Sequence, residues 1–244
     1  MKQGIFTVAE NKALTRRVSR LVLEGDTSGI ERPGQFVQIQ LDGLYLRRPF
    51  SVCDWDDNCF TVLYETVGIG TARLKEIHVG EKLDVLTGLG NGFCTDRCGQ
   101  APLLIGGGTG LSPLYALAKE LLRQGKRPTV LLGFGTAADV FYEEEFRTLG
   151  VETVVATEDG SRGVHGLVTA AMDRTHSDFF TCGPERMMKA VCKRSDKPGQ
   201  LSFDRRMGCG FGACMGCTVR TKYGLKRICK DGPVLSSEEV LWED

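Results

Sequence analysis

At 244 residues the chain is long for a single core and sufficient for two domains with a small appendage. Its 41% hydrophobic and 25% charged residues are those of an ordinary globular protein. Its 31 Lys plus Arg balance 31 Asp plus Glu, so nothing marks a polyanionic partner such as nucleic acid. The opening MKQGIFTVAENK lacks the apolar stretch of a signal peptide. No apolar run approaches the roughly 20 residues that span a bilayer. A cytoplasmic location with no membrane partner is expected.

The first segment, residues 1–98, reads as short strands. Residues 34–41 (GQFVQIQL) form a compact strand opened by Pro33-Gly34, and residues 59–67 alternate Phe60, Val62 and Tyr64 on one face after an Asp56-Asp57-Asn58 turn. Residues 81–88 place Leu83, Val85 and Thr87 at period two. Many short strands with turn residues predict an antiparallel β-barrel or sandwich.

The period changes over residues 99–197. Strands are predicted at 102–106, 129–134, 151–157 and 178–183, with helices at 112–125, 142–150, 165–172 and 184–193. Ser112 is placed as an N-cap, Pro113 as the first helical residue and Gly125 as the terminator. His165 is read as opening a helix. Alternating strand and helix predicts a parallel α/β sheet with right-handed crossovers. The polar SDKPGQ over 195–200 reads as a linker, after which residues 198–244 turn Gly- and Cys-rich.

Ten cysteines are many for such a chain. In a reducing compartment clustered cysteines bind metal or do redox chemistry more often than they form disulfides. MGCGFGACMGC gives C-x4-C-x2-C from Cys209, Cys214 and Cys217, and Cys229 follows after eleven intervening residues. That is the plant-type spacing of a [2Fe-2S] cluster. Gly208, Gly210, Gly212 and Gly216 allow the loop to wrap a cluster and bring N–H groups close to its sulfurs. Residues 218–230 read as a hairpin that turns near Tyr223-Gly224 and carries the fourth ligand. A zinc site is disfavoured, because no second closely spaced Cys pair exists around Cys229. Arg205, Arg206, Arg220, Lys222, Lys226, Arg227 and Lys230 either offset the charge of such a centre or form a solvated or partner-facing surface. Cys53, Cys59, Cys94, Cys98, Cys182 and Cys192 are scattered and read as inert thiols, with Cys94 and Cys98 the nearest to a second metal pair.

Nucleotide signals precede the cysteines. GGGTGLSP (106–113) sits between strand and helix, where glycines admit a phosphate and the helix start attracts its charge. It departs from G-x-G-x-x-G, because Pro113 stands where the third glycine belongs. RRPFSV (47–52) offers a guanidinium, Arg48, that matches pyrophosphate geometry. VGIGTARL (67–74) places Gly70 and Thr71 at a helix start. After the 151–157 strand, Glu158 and Asp159 can meet ribose hydroxyls and disfavour a 2′-phosphate, whereas Arg162 argues the other way.

The order R-P-F-S, G-x-G-T, G-G-G-T-G-x-S-P, T-C-G-P resembles the ferredoxin–NAD(P) reductase superfamily. The resemblance implies an N-terminal antiparallel FAD-binding β-barrel (1–98) and a Rossmann-like NAD-binding α/β domain (99–197). It assigns Arg48, Pro49, Phe50, Ser51, Leu63, Tyr64, Glu65, Gly70 and Thr71 to FAD. Gly106, Gly107, Gly108, Thr109, Gly110, Cys182, Gly183 and Pro184 fall on the nicotinamide-nucleotide side. The 198–244 extension, a small [2Fe-2S] domain, looks like that of electron-transfer subunits of NAD-dependent, class B dihydroorotate dehydrogenases. Cys209 favours that family over sulfide- and ferredoxin-linked relatives, which often have Asp there. Phe50 departs from its usual aliphatic residue.

What the resemblance implies is an oxidoreductase subunit of pyrimidine biosynthesis. Electrons enter at the cluster and pass through FAD, which exchanges one or two electrons, to NAD⁺. They come from the FMN of a partner catalytic subunit in a heterotetramer of two plus two. His78, His165 and His176 form no recognisable base–nucleophile set, so dihydroorotate chemistry is expected on the partner. The alternatives are an NAD(P)H-dependent ferredoxin or sulfide reductase component and a cluster-based redox sensor.

Overall fold

The computed structural model describes residues 1–173 and 175–242. Six strands close into an antiparallel barrel: β1 (Lys2–Ala13), β2 (Val18–Glu24), β3 (Phe36–Ile39), β4 (Arg48–Trp55), β5 (Cys59–Glu65) and β6 (Lys82–Leu89), in the order β1-β2-β5-β4-β3-β6. A short helix, α1 (Ile69–Lys75), bridges β5 and β6. The alternation read from sequence holds: Phe60, Val62 and Tyr64 all point inward, and Phe6 packs edge-on against Phe60 at 5.1 Å. Burying such a set removes several hundred Å² of apolar surface, at about 25 cal/mol per Å².

The second layer is a seven-stranded sheet in the order β10-β9-β8-β7-β11-β12-β15. Its strands are β7 (Leu103–Gly107), β8 (Thr129–Phe134), β9 (Glu152–Thr157), β10 (Val164–His165), β11 (Phe179–Cys182), β12 (Gly199–Ser202) and β15 (Val234–Ser236). All neighbouring pairs are parallel except β12 with β15. Helices α2 (Ser112–Arg123), α3 (Glu143–Thr148) and α4 (Glu185–Arg194) supply the crossovers. The hairpin β13 (Thr218–Thr221) and β14 (Gly224–Arg227), with the single turn α5 (Ile228–Asp231), completes the chain.

The units share cores. Val18, Cys53 and Leu63, on the outer wall of the barrel, pack with Leu111, Leu114 and Leu117 around α2. Phe36 and Leu89 of the barrel pack with Met188 of α4, Leu201 of β12 and three residues of the cysteine region, Cys217, Ile228 and Cys229.

Four local expectations are corrected. Residues 165–172 hold no α-helix: His165 ends strand β10, and one 3₁₀ turn follows at Val168–Ala171. Gly166, at φ +112°, breaks any helical run there. The segment read as a linker instead enters β12 at Gly199. A Cβ there would collide with the Phe179 ring on the paired strand, so the glycine seats the aromatic. Ser112 is not the N-cap of α2; it is the first residue of that helix and closes the 3₁₀ turn at Gly108–Leu111 with its N–H, while its hydroxyl donates to the Ser51 carbonyl at 3.3 Å. Cys229 lies on α5, just beyond the hairpin. Gly125, in contrast, does end α2, at φ +73°.

Candidate functional site

Of the two adjacent arginines on the barrel, the structure frees one. Arg47 is held by Asp84, with a 2.9 Å ion pair and a second bond to its carbonyl, and the hydrogen bond from Arg47 holds the Asp84 carboxyl below its ordinary range. Arg48, at the start of β4, donates to the Leu46 carbonyl and lies flat against Gly70, where any Cβ would overlap its guanidinium. The loops on either side carry exposed apolar side chains, Tyr45, Leu46, Val67 and Ile69. A guanidinium over a side-chain-free helix turn, flanked by apolar surface, fits a pyrophosphate with an attached ring.

Thr71 does a different job from an anion ligand. Its hydroxyl accepts from the Val67 and Gly68 N–H groups at 2.9 and 3.2 Å and shapes the loop entering α1. Phe50 is half-buried and meets Tyr64 edge-on at 6.0 Å. Tyr64 is buried, with its hydroxyl donating to Asn11 at 2.8 Å, and burial raises its pKa. Leu63 is buried against α2. These two side chains are therefore spent on the barrel, leaving the strand backbone and Glu65 for a ligand. Glu65 pairs with Arg17 at 2.7 Å.

The C-terminal ends of the parallel strands open a cavity of about 640 Å³ between barrel and sheet. Open parallel sheets bind nucleotides at this edge. Glu65, Gly107, Gly108, Thr109, Glu158 and Pro184 line it, so the G-G-G-T-G loop and the T-C-G-P turn, 70 residues apart, meet here. The remaining motif residues make that meeting possible. A Cβ at Gly107 would strike Met187 and Pro184, one at Gly106 would strike Leu111, and one at Gly110 would strike the Cys182 carbonyl. Gly183, at φ +149°, packs on Gly107. Cys182 is buried, and burial pushes its thiol up to about 12, so it carries no thiolate.

Two basic lining residues, Arg17 and Arg186, carried no motif in the sequence. Of the acidic pair, Glu158 faces the cavity, while Asp159 accepts from the Ser161 hydroxyl and backbone N–H. Arg162, the residue that argued for a 2′-phosphate, is held by Glu143 at 2.7 Å. His176 makes a contact not foreseen: its Nε2 meets Ser195 Oγ at 2.9 Å. That hydroxyl also accepts from the Lys197 N–H, so the pair closes the end of α4 and is not a nucleophile.

The four cysteines lie in two close pairs, Cys209 with Cys214 and Cys217 with Cys229, and Cys209 is near enough to Cys229 to act on it electrostatically. Cys209 Sγ accepts from the Ala213 and Cys214 N–H groups at 3.2 and 3.4 Å, and Cys214 Sγ accepts from Cys209 and Gly216 at 3.4 and 3.5 Å. Cys217 Sγ accepts from the Cys229 N–H at 3.4 Å. Gly210 and Gly212 take φ of +78° and +94°, and Met215 +61°, which turns the N–H groups inward. Burial opposes ionisation of Cys209, but these donors outweigh it and bring its thiol down to about 6. Cys229 is raised by burial and by its neighbour Cys217. Sulfurs ringed by N–H donors suit anionic thiolates and bridging sulfides. Cys217 and Cys229 are buried, whereas Cys214 is exposed.

Three of the seven basic residues are structural. Arg205 pairs with Glu185, Lys226 with Glu239, and Arg227 with Asp231 while also donating to the Gly212 carbonyl at 2.8 Å. Cys94 Sγ lies 3.9 Å from the Asp96 carboxylate and Cys98 Sγ 3.6 Å from the Gly99 carbonyl, each contact within its own turn.

Residues 204–241 match the family model for the iron-sulfur cluster binding domain of dihydroorotate dehydrogenase B, and residues 104–193 match an oxidoreductase NAD-binding domain. The chain is 43% identical to the dihydroorotate dehydrogenase B (NAD(+)) electron transfer subunit of Geobacillus sp. (strain WCH70), covering 99% of each chain. It is 41% identical to the subunit of that name from Bacillus mycoides (strain KBAB4), again over 99% of both. A solved structure of the NADH-dependent reduced ferredoxin-NADP oxidoreductase, studied for flavin-based electron bifurcation, superposes with a TM-score of 0.88 at 31% identity, covering 98% of this chain and 90% of the other. A ferredoxin NADP+ reductase from Neisseria gonorrhoeae shares the fold of the first two units, with a TM-score of 0.69, 15% identity and coverage of 80% and 90%.

Proposed function

The chain belongs to the family of electron-transfer subunits of dihydroorotate dehydrogenase B (NAD(+)), and on that premise we propose that it carries electrons from dihydroorotate, oxidised on a catalytic partner subunit, to NAD⁺. It is an oxidoreductase component with FAD, [2Fe-2S] and NAD as its redox groups. When bound, the cluster carries single electrons, FAD exchanges one or two, and NAD⁺ takes a hydride. The observation that carries the reading is the shared core in which Cys217 and Cys229 pack against barrel strand β3 and helix α4. It supports an electron path from the cysteine loop to the proposed nucleotide sites, because that loop shares its core with the barrel and with α4.

The geometry supports a division of labour among the residues. Cys209, Cys214, Cys217 and Cys229 hold the cluster. Arg48, laid on Gly70, holds the FAD pyrophosphate, and the backbone of Pro49, Phe50 and Ser51 with Leu63, Tyr64 and Glu65 flanks the flavin. Gly107, Gly108, Thr109 and Pro184 receive the dinucleotide, and Gly106, Gly110, Cys182 and Gly183 let those backbones approach. Glu158 in the cavity, with Arg162 occupied by Glu143, favours NAD over NADP. The partition 1–98, 99–197 and 198–244 serves as a functional division, although β12 and β15 of the last part complete the sheet of the second.

The partner is proposed to carry FMN and to assemble two plus two. Exposed Cys214 and the exposed apolar Phe211, Met215, Tyr223 and Leu225 on the loop and hairpin support docking there. No described helix is long and apolar enough to cross a membrane, and a cytoplasmic location is proposed. Co-expression with the FMN subunit and assay with dihydroorotate tests the reading. Orotate and NADH should form, with NADP⁺ a poor substitute. Turnover with sulfide or reduced ferredoxin, and none with dihydroorotate, would instead place the chain with the reductase components. Equal use of NADP⁺ would remove the role given to Glu158.

A further inference from the structure

Strand β3 sends two side chains out of the barrel, Phe36 and Gln38, while Val37 and Ile39 point into it. Phe36 packs with Cys217 and Cys229. Gln38 is fully buried, at 0% exposure, and neither Nε2 nor Oε1 has a hydrogen-bond partner. Among the described residues it is the one side chain with both ends of a buried amide unsatisfied. Burying an amide without partners is costly, so such a group is normally satisfied by protein, water or a bound group.

Its surroundings identify the missing acceptor. The Gln38 amide presses on Gly210, where any Cβ would overlap Nε2, Cδ and Oε1 together. Gly210 directly follows Cys209, in the loop whose N–H groups already point at sulfur. On its other side Gln38 pairs with Pro49 of the R-P-F-S segment. One residue thus touches the cysteine loop with its side chain and the flavin-binding strand with its backbone.

We propose that the Gln38 amide is a hydrogen-bond donor to the iron–sulfur centre, supplied by the barrel and not by the cysteine loop. The inference rests on the reading of Cys209, Cys214, Cys217 and Cys229 as cluster ligands. A donor aimed at sulfur stabilises the more negative, reduced state and so raises the reduction potential. The amide therefore ties the potential of the cluster to the strand that carries the flavin.

The test is a potentiometric titration of the holoprotein, followed by EPR of the reduced cluster and flavin absorbance, in wild type, Gln38→Leu and Gln38→Glu. Gln38→Leu keeps the shape and removes the donor. The cluster potential should move negative with altered g-values, iron and sulfide content retained and the flavin potential unchanged. Gln38→Glu should move it further in the same direction. Unchanged cluster potential and g-values overturn the proposal, and so does a shift confined to the flavin. Loss of iron from both variants also overturns it, because the amide is then only structural. Absence of iron and sulfide from the wild type would fail the ligand assignment itself, an outcome separate from the others.

Discussion

Two glycine-rich loops of this molecule use glycine in different ways. In 106–110 only Gly108 has a left-handed backbone, at φ +53°; the others are glycine because Leu111, Cys182, Pro184 and Met187 approach too closely for a Cβ. In 208–217 the backbone itself is bent, with Gly210 and Gly212 at φ +78° and +94°. The first loop is shaped by the sheet around it, since β7 and β11 bring its neighbours together whether or not a nucleotide is bound. The second turns N–H groups to Cys209 and Cys214, and is pressed from outside by Gln38 at Gly210. One loop comes with the fold; the other needs its metal to be worth its conformation.

The largest effect should come from breaking the metal-dependent loop alone. Cys214→Ser should abolish the EPR signal of the reduced cluster and release iron while FAD and NAD binding persist, as read by flavin absorbance and calorimetry. An intact signal would remove Cys214 from the ligand set and collapse the contrast. Next, Gly110→Ala drives a methyl into the Cys182 backbone and should cost about 3 kcal/mol in thermal unfolding. Gly212→Ala, strained at φ +94° and crowded by the Cβ and Cδ of Lys230, should cost about 1–3 kcal/mol and lower iron retention, which Gly110→Ala should leave intact. Equal iron loss in both variants would show that the two loops do not differ in this way.

Arg48→Ala sharpens the comparison from the barrel side. Losing one charge-assisted bond of about 1.5–3 kcal/mol should weaken FAD retention roughly 10- to 100-fold. Unchanged flavin occupancy after dialysis would refute the pyrophosphate role. The smallest effect is expected far from both loops, at the bidentate Arg20–Glu10 pair (2.7 and 2.9 Å). Hydrogen bonding from Arg20 holds Glu10 below its ordinary value of 4.5. The stability it adds is therefore present above that value and lost as pH falls through the lowered one. Glu10→Gln should cost about 0.5–1 kcal/mol near neutrality, given its partial exposure, and should flatten the acid limb of the stability curve.

What was legible from sequence was local. Strand periodicity, the Gly125 stop, the strand–loop–helix around 106–113 and the spacing of four cysteines each sit within 21 residues or fewer, where side-chain pattern and backbone freedom decide the outcome. The failures were also local in appearance but set by distant partners. Gly199 looked like linker because the Phe179 ring that seats on it lies on another strand. Ser112 looked like a cap because the Ser51 carbonyl that takes its hydroxyl belongs to the barrel.

The sequence by itself determined which residues can bind iron, phosphate and ribose, because donor chemistry and short-range spacing are written in the chain. Only the tertiary structure decided which of them stay available to do so. It gave Arg47 to Asp84 and left Arg48 open, it spent Arg162 on Glu143 and left Glu158 in the cavity, and it buried Tyr64 in the barrel. It also set Gln38 against Gly210, 172 residues away in the chain. The physical reason is common to all of these. A charged or polar side chain is available to a ligand only when no nearer partner satisfies it, and that partner is fixed by the packing of elements remote in sequence.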